Sequence, residues 1–123
     1  LPAQPNKKKF NEYFKSLKLG SMPQGQAIAP PKSYPKTTTV IAQKDQLCNM
    51  AEIKKAIPAG SFASAIYNKD TKQYAQEKTV FPMELKAGGM AGCSGEHGLV
   101  PGNYELKVYL DDILAAVLPF KIK

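Results

Sequence analysis

The strongest structural signal in the sequence is the C-terminal segment PGNYELKVYLDDILAAVLPFKIK, residues 101–123. From Tyr104 to Leu110 every second residue is apolar, and this period of two is typical of a strand with one buried face. Asp111 and Asp112 then interrupt the pattern with two residues that tolerate turn conformations. The segment therefore predicts an antiparallel hairpin that closes a β-sheet domain.

The second strand of this hairpin is predicted over Ile113 to Ile122. Pro119 lacks the backbone N–H that a sheet ladder requires, so we expect this strand at an edge of its sheet. The dipeptide Pro101-Gly102 predicts a turn before the hairpin. The inward face of the second strand is assigned to five residues, Leu114, Ala116, Leu118, Phe120 and Ile122.

The preceding part of the chain continues the β pattern in short apolar runs that alternate with turn residues. Turns recur about once in ten residues, and this spacing favours a β-sandwich over an α/β arrangement. Pro82 places the last of the upstream strands at a sheet edge. The predicted upstream strands cover residues 14–19, 37–42, 46–53, 61–68, 72–76 and 79–85.

Two segments are predicted to lie outside the strands. A short helix or turn is expected from Lys7 to about Tyr13, with Asn6 as its N-cap, after a loose tail at residues 1–5. Residues 20–36 contain four of the ten prolines and predict a long surface connection.

The order of these strands resembles that of small immunoglobulin-like sandwich domains in bacterial secreted proteins. The resemblance lies in Pro-Gly-x-Tyr-x-Leu-x-Val-Tyr-Leu at 101–110, the two-residue turn, and the run that ends in Pro-Phe-x-Ile at 119–122. A Leu-containing first strand at 14–20 and a Thr-rich stretch at 37–41 extend it, so that it covers roughly residues 13–123. It implies an all-β fold, an immunoglobulin-like antiparallel β-sandwich of about seven to eight strands. It also implies a binding or spacing role without catalytic residues, in a secreted or periplasmic protein.

Length and composition fit one small domain. The 123 residues include 43% apolar residues, which is enough for a core. No segment approaches the roughly 20 consecutive apolar residues of a membrane-spanning helix. The first residue is Leu1 rather than Met, from which we expect either a removed secretory signal or a fragment of a longer chain. We assign residues 1–12 to a tail or short helix and residues 13–123 to a single β-sandwich domain.

The chain is basic, with a net charge of +7 and 17 basic residues that are all lysines. Arginine, the usual bidentate partner of guanine and phosphate, is absent. The lysines are scattered along the chain, which is typical of a solvated surface. We therefore expect no nucleic-acid partner.

Chemically versatile residues concentrate in KAGGMAGCSGEHGLV, residues 86–100, a glycine-rich segment that is predicted to be a loop. It contains Cys93 and the only histidine, His97. Two cysteines in a secreted domain usually pair, so Cys48 and Cys93 are predicted to form a disulfide that fastens this loop to a core strand.

Two chemical alternatives compete with the disulfide. Met90, Cys93 and His97, with Met50 and Cys48, combine ligand types that suit copper. Cupredoxins place similar ligands before their last strand, but here two strands follow His97 and a second histidine is missing. Cys93 or Ser94 with His97 could form a nucleophile and base, yet the nucleophile-elbow pattern G-x-S-x-G is not met.

The same segment is also a candidate binding surface, because loops on a rigid scaffold often carry function. Met90, Glu96 and His97 are its candidate contact residues, and Tyr34 is either a lid over the core edge or a further recognition residue. We expect a non-catalytic binding or interaction module without a cofactor, whose partner is another protein or a cell-surface macromolecule. A copper-binding protein that uses Met90, Cys93 and His97 is the alternative.

Overall fold

Residues 4–123, the part of the chain that the computed structural model describes, contain one short helix and nine β-strands. They form two sheets, with strand orders β2-β1-β4-β7 and β3-β9-β8-β5-β6. All strand pairs are antiparallel except β3 with β9. The prediction of a mostly antiparallel β-sandwich with a short N-terminal helix is confirmed. The elements are α1 (Lys7–Tyr13), β1 (Phe14–Pro23), β2 (Lys36–Thr37), β3 (Val40–Ile41), β4 (Asp45–Ile53), β5 (Phe62–Asn68), β6 (Gln73–Val80), β7 (Gly88–Cys93), β8 (Gly102–Leu110) and β9 (Ile113–Ile122).

The C-terminal hairpin forms as predicted and turns at the two aspartates. Asp111 and Asp112 have positive φ angles of 52° and 65°, as the tight turns of two-residue hairpins require. Tyr104 lies opposite Phe120, and their rings stack with centroids 5.4 Å apart. The Tyr104 hydroxyl donates to the Val100 carbonyl at 2.6 Å, so this buried ring is also held by its polar end.

The predicted inward face of β9 is wrong at Leu114. Ala116 pairs with Val108 but Leu114 pairs with Tyr109, so Ala115 is an extra residue that forms a β-bulge and is buried in the core. Leu114 consequently lies on the same sheet face as Tyr109 and not on the inward face. A bulge shifts the alternation by one residue, and the apolar pattern alone does not reveal the shift.

The remaining strand boundaries differ from the predictions where pairing extends, shortens or divides a run. β1 continues to Pro23, and the run predicted at 37–42 is divided between β2 and β3 in different sheets. The runs predicted at 72–76 and 79–85 are replaced by the single strand β6, which ends at Val80. β3 reaches only Lys121 and Ile122 of β9, so Pro119 lies where that side of β9 has no paired neighbour.

The hydrophobic core consists of two clusters between the sheets. The first surrounds Phe14 and Leu110, and the second surrounds Leu19, Tyr104 and Phe120. Several half-buried apolar side chains border the clusters without being covered by them: Leu17, Phe62, Leu85 and Met90 at the first, and Leu47, Leu106 and Leu118 at the second.

The helix α1 begins at its predicted cap. The Asn6 side-chain oxygen accepts the Lys9 amide at 2.9 Å. The predicted tail falls partly on residues 1–3, which lie outside the described part of the chain. Among residues 4–123 no helix has the length and apolar character that crossing a membrane requires.

Candidate functional site

The disulfide between Cys48 and Cys93 is present as predicted. The two residues are directly paired between β4 and β7, with Cα atoms 4.0 Å apart. The expectation that the bridge fastens a loop is wrong, because Cys93 ends an edge strand. Neither cysteine of residues 4–123 is free, which is consistent with an oxidising, extracytoplasmic location.

The structure does not bring the predicted copper ligands together. Met90 pairs with Ala51 and packs against the first core cluster, whereas Cys93 pairs with Cys48 on the opposite face of β7. Cys93 is also committed to the disulfide, and a disulfide sulfur is not a thiolate ligand. Residues 4–123 contain no group of three or more His, Cys, Asp or Glu side chains that could hold a metal ion.

His97 and Glu96 lie after β7, beside a polar depression of about 320 Å³ that Gln24, Gln43 and Lys44 also line. The His97 Nδ1 accepts the Leu99 amide at 2.9 Å. Its Nε2 is buried without a hydrogen-bond partner in the described part of the chain. Because Nδ1 is an acceptor, the neutral ring carries its proton on Nε2.

Tyr34 lies on the proline-rich connection between β1 and β2. Its side chain is 49% exposed, so the ring is not part of the buried core. The binding roles of Tyr34, Met90, Glu96 and His97 therefore stay predictions.

The outer surface of the five-stranded sheet carries an aromatic and basic cluster that the sequence reasoning missed. Ala63 and Ala65 of β5 are only 3% and 1% exposed, although they point away from the other sheet. They pair with Tyr109 and Lys107 of β8, so these four residues lie on the same sheet surface. We define the tyrosine–lysine face as Tyr67, Tyr74, Lys78, Val80, Lys107 and Tyr109.

Lys107 lies at the centre of the tyrosine–lysine face. Its ammonium donates to the Tyr74 hydroxyl at 3.0 Å and lies 4.5 Å from the centroid of the Tyr67 ring. Tyr67 and Tyr74 contact each other edge to face, with centroids 5.1 Å apart. The hydrogen bond to Tyr74 raises the pKa of Lys107 above its ordinary value of 10.5. These contacts favour this arrangement of the three side chains in the absence of a partner.

A second cation–aromatic contact lies beside the first. Lys78 is 4.6 Å from the centroid of the Tyr109 ring and forms an ion pair with Asp112. Burial raises the pKa of Tyr109 above its ordinary value of 10. The rim of the face is apolar and open, since Val80 is 51% exposed and Tyr74 is 39% exposed.

An apolar cavity of about 340 Å³ lies between the two sheets, and we call it the inter-sheet cavity. The edge strands β6 and β7, one from each sheet, both contribute to it, β6 with Gln76 and β7 with Met90 and Gly92. Gln76, Phe81 and Ser94 are exposed lining residues, so the cavity reaches the surface near them.

Small and polar inward-facing residues leave this space unfilled. Leu19, Asn49 and Gly92 share one row of the four-stranded sheet, and Leu19 belongs to the second core cluster, so this row faces inward. On the other sheet Ser64 pairs with buried Val108 and lines the cavity. Along this row the side chain becomes shorter from Leu19 through Asn49 to Gly92, so the inter-sheet cavity opens at β7.

Compared with models of known protein families and with curated proteins, the chain has no match in either set. The chain has three candidate functional sites: the tyrosine–lysine face, the inter-sheet cavity and the polar depression at His97.

Proposed function

We propose that the chain is a non-catalytic, immunoglobulin-like binding module of a secreted or periplasmic protein. Its partner is another protein, and the contact surface is the tyrosine–lysine face. The observation that carries the proposal is the packing of Tyr67 and Tyr74 around Lys107, on a sheet surface that also carries the exposed Val80.

The shape of the face favours a macromolecule over a small ligand. It lies on the paired strands β5, β6 and β8, a continuous outer sheet surface, whereas small-molecule sites are concave. Tyrosine is enriched at protein interfaces because it offers a large, rigid apolar area with a polar tip. Tyr67 and Tyr74 are already packed against Lys107, so binding costs little side-chain entropy.

The charges of the face favour a protein over a polyanion. Lys78 is paired with Asp112, and Glu105 lies opposite Tyr67 on the same sheet surface. The two lysines of the face thus have two acidic neighbours, and the net charge of +7 arises elsewhere on the chain. A mixed-charge, tyrosine-rich surface is complementary to another protein surface rather than to a uniformly negative polymer.

Saturation binding to the proteins of the source organism's envelope tests this proposal. Labelled wild-type protein should bind saturably, and Tyr74→Ser with Val80→Ser should weaken the affinity at least tenfold. A control pair, Val40→Ser with Val100→Ser, changes exposed apolar residues that belong neither to the face nor to the other candidate binding residues, and it should bind like the parent.

The nature of the partner is resolved by pretreating the envelope fraction. Protease should remove the sites, whereas glycan-degrading enzymes should leave them intact. Binding that survives protease, or that is equally weakened by both variant pairs, would contradict the proposal.

A further inference from the structure

We infer that the inter-sheet cavity is a binding site for an uncharged, apolar small molecule. This inference is independent of the proposed protein interface, because the cavity faces inward and the tyrosine–lysine face points outward. It rests on the size of the cavity, the chemistry of its lining and the way in which it divides the core.

The size fits a ligand rather than an imperfection of packing. Small-molecule sites typically measure about 300–1,000 Å³, and the cavity of about 340 Å³ lies within this range. Protein interiors are otherwise packed as densely as organic crystals. Here the core is divided into two clusters, and Leu17, Leu106 and Met90 at their borders all line the cavity.

The lining specifies the class of ligand. The chain carries 17 basic and 10 acidic residues, yet no charged residue lines the cavity. A charged group in this apolar space would lose its hydration without gaining a partner, which costs more than binding returns. An uncharged hydrocarbon skeleton, aliphatic or aromatic, fits the leucine and phenylalanine walls.

Polar groups at defined places can orient such a ligand. Asn49 and Ser64 lie on the inner faces of the two opposing sheets, and Gln76 lies at the exposed border. These carboxamide and hydroxyl groups can donate to or accept from one or two neutral polar groups, such as a hydroxyl or carbonyl. The site therefore fits an apolar molecule that carries one or two neutral polar groups.

Gly92 gives a direct way to test the site. A Cβ atom at Gly92 would point into the inner row, and its nearest neighbour would be the Asn49 side-chain oxygen at 3.9 Å. Gly89 of the same strand is a matched control, since it pairs with exposed Glu52 on the opposite face. A Cβ at Gly89 would likewise have only the Glu52 side-chain oxygen as a neighbour, at 3.9 Å.

The experiment is a fluorescence titration with N-phenyl-1-naphthylamine, an uncharged aromatic probe. Wild type and Gly89→Ile should bind one equivalent with similar affinity, and Gly92→Ile should weaken binding at least tenfold. Ser64→Leu fills the cavity from the other sheet and should weaken probe binding to the same extent. It replaces Gly92→Ile in the test if that variant does not fold. Circular dichroism and thermal melts verify that each variant used is folded.

Three results would overturn the inference. One is the absence of saturable probe binding to the folded wild type, and another is equal binding by wild type and both filled variants. The third is a wild-type dimer in sedimentation velocity that dissociates in Gly92→Ile, which would assign the cavity to a second copy of the chain.

Discussion

Cys48 and Cys93 are directly opposed on β4 and β7, and their disulfide is a covalent cross-strand link within one sheet. The linked edge strand contains Gly88, Gly89 and Gly92 among its six residues. Glycine in a strand has a high entropic cost and supplies no side chain for packing. The disulfide therefore holds in place a strand that its own composition would leave weak, at the border of the inter-sheet cavity.

Removing both cysteines should destabilise the protein strongly. The bridge joins residues 45 positions apart, and the chain-entropy model gives about 4 kcal/mol for a loop of this length. Urea denaturation of Cys48→Ala with Cys93→Ala should show this loss, with the earliest loss of hydrogen-exchange protection in β7. Thiol titration of denatured wild type should read close to zero, and two reactive thiols would contradict the bridge.

Phe120 should be one of the costliest core residues to truncate. Its ring is 4% exposed and stacks on Tyr104, so Phe120→Ala leaves a cavity and should lower the free energy of unfolding by about 3–5 kcal/mol. Lys121→Ala, at the exposed next position, should change it by less than about 0.5 kcal/mol. Equal denaturation midpoints for the two variants would contradict the assigned core of β9.

Substitution by alanine should lower the stability of the protein at Gly20 but not at Gly92. A Cβ at Gly20 would lie 2.7 Å from the Lys36 carbonyl oxygen, so Gly20→Ala forces the backbone apart and should cost about 1–3 kcal/mol. Gly92→Ala has space and should be neutral, or stabilising by up to about 1 kcal/mol. Thermal melts compare the two, and a tolerated Gly20→Ala would indicate that β2 packs less closely on β1.

The Lys9–Asp111 ion pair should make stability depend on acid pH. The two side chains are 2.6 Å apart, and the hydrogen bond from Lys9 lowers the pKa of Asp111 below its ordinary value of 3.8. A lowered folded-state pKa means that the stabilisation is fully present well above pH 3.8 and is lost as the pH falls through the folded value. Asp111→Asn keeps a residue that tolerates positive φ but removes the charge.

Thermal melts of wild type and Asp111→Asn should therefore differ at pH 7, approach each other as the pH falls below 3.8, and converge only below the lowered folded-state pKa of Asp111. Asp112→Asn is the control at the neighbouring turn position, where the carboxylate pairs with Lys78 instead. A difference between wild type and Asp111→Asn that stays constant from pH 7 to strongly acidic pH would mean that the Asp111 charge does not stabilise the fold.

Features that depend only on neighbouring residues could be predicted from the sequence. The alternation from Tyr104 to Leu110 and the adjacent aspartates specify the hairpin, because strand periodicity and turn conformation are local properties. Asn6 specifies the start of α1 for the same reason, since a capping side chain bonds an amide three residues away. The cysteine pair was predictable because only two cysteines exist and one pairing is available.

Which distant residues share a sheet face depends on the fold of the whole chain. The bulge at Ala115 depends on how β9 registers against β8, and the tyrosine–lysine face depends on the pairing of β5 with both β6 and β8. The inter-sheet cavity required Asn49 and Gly92 to lie in one inward row, opposite the sheet that carries Ser64. Such alignments come from hydrogen-bonded register and from the packing of two sheets, and neither is written in the periodicity of a single segment.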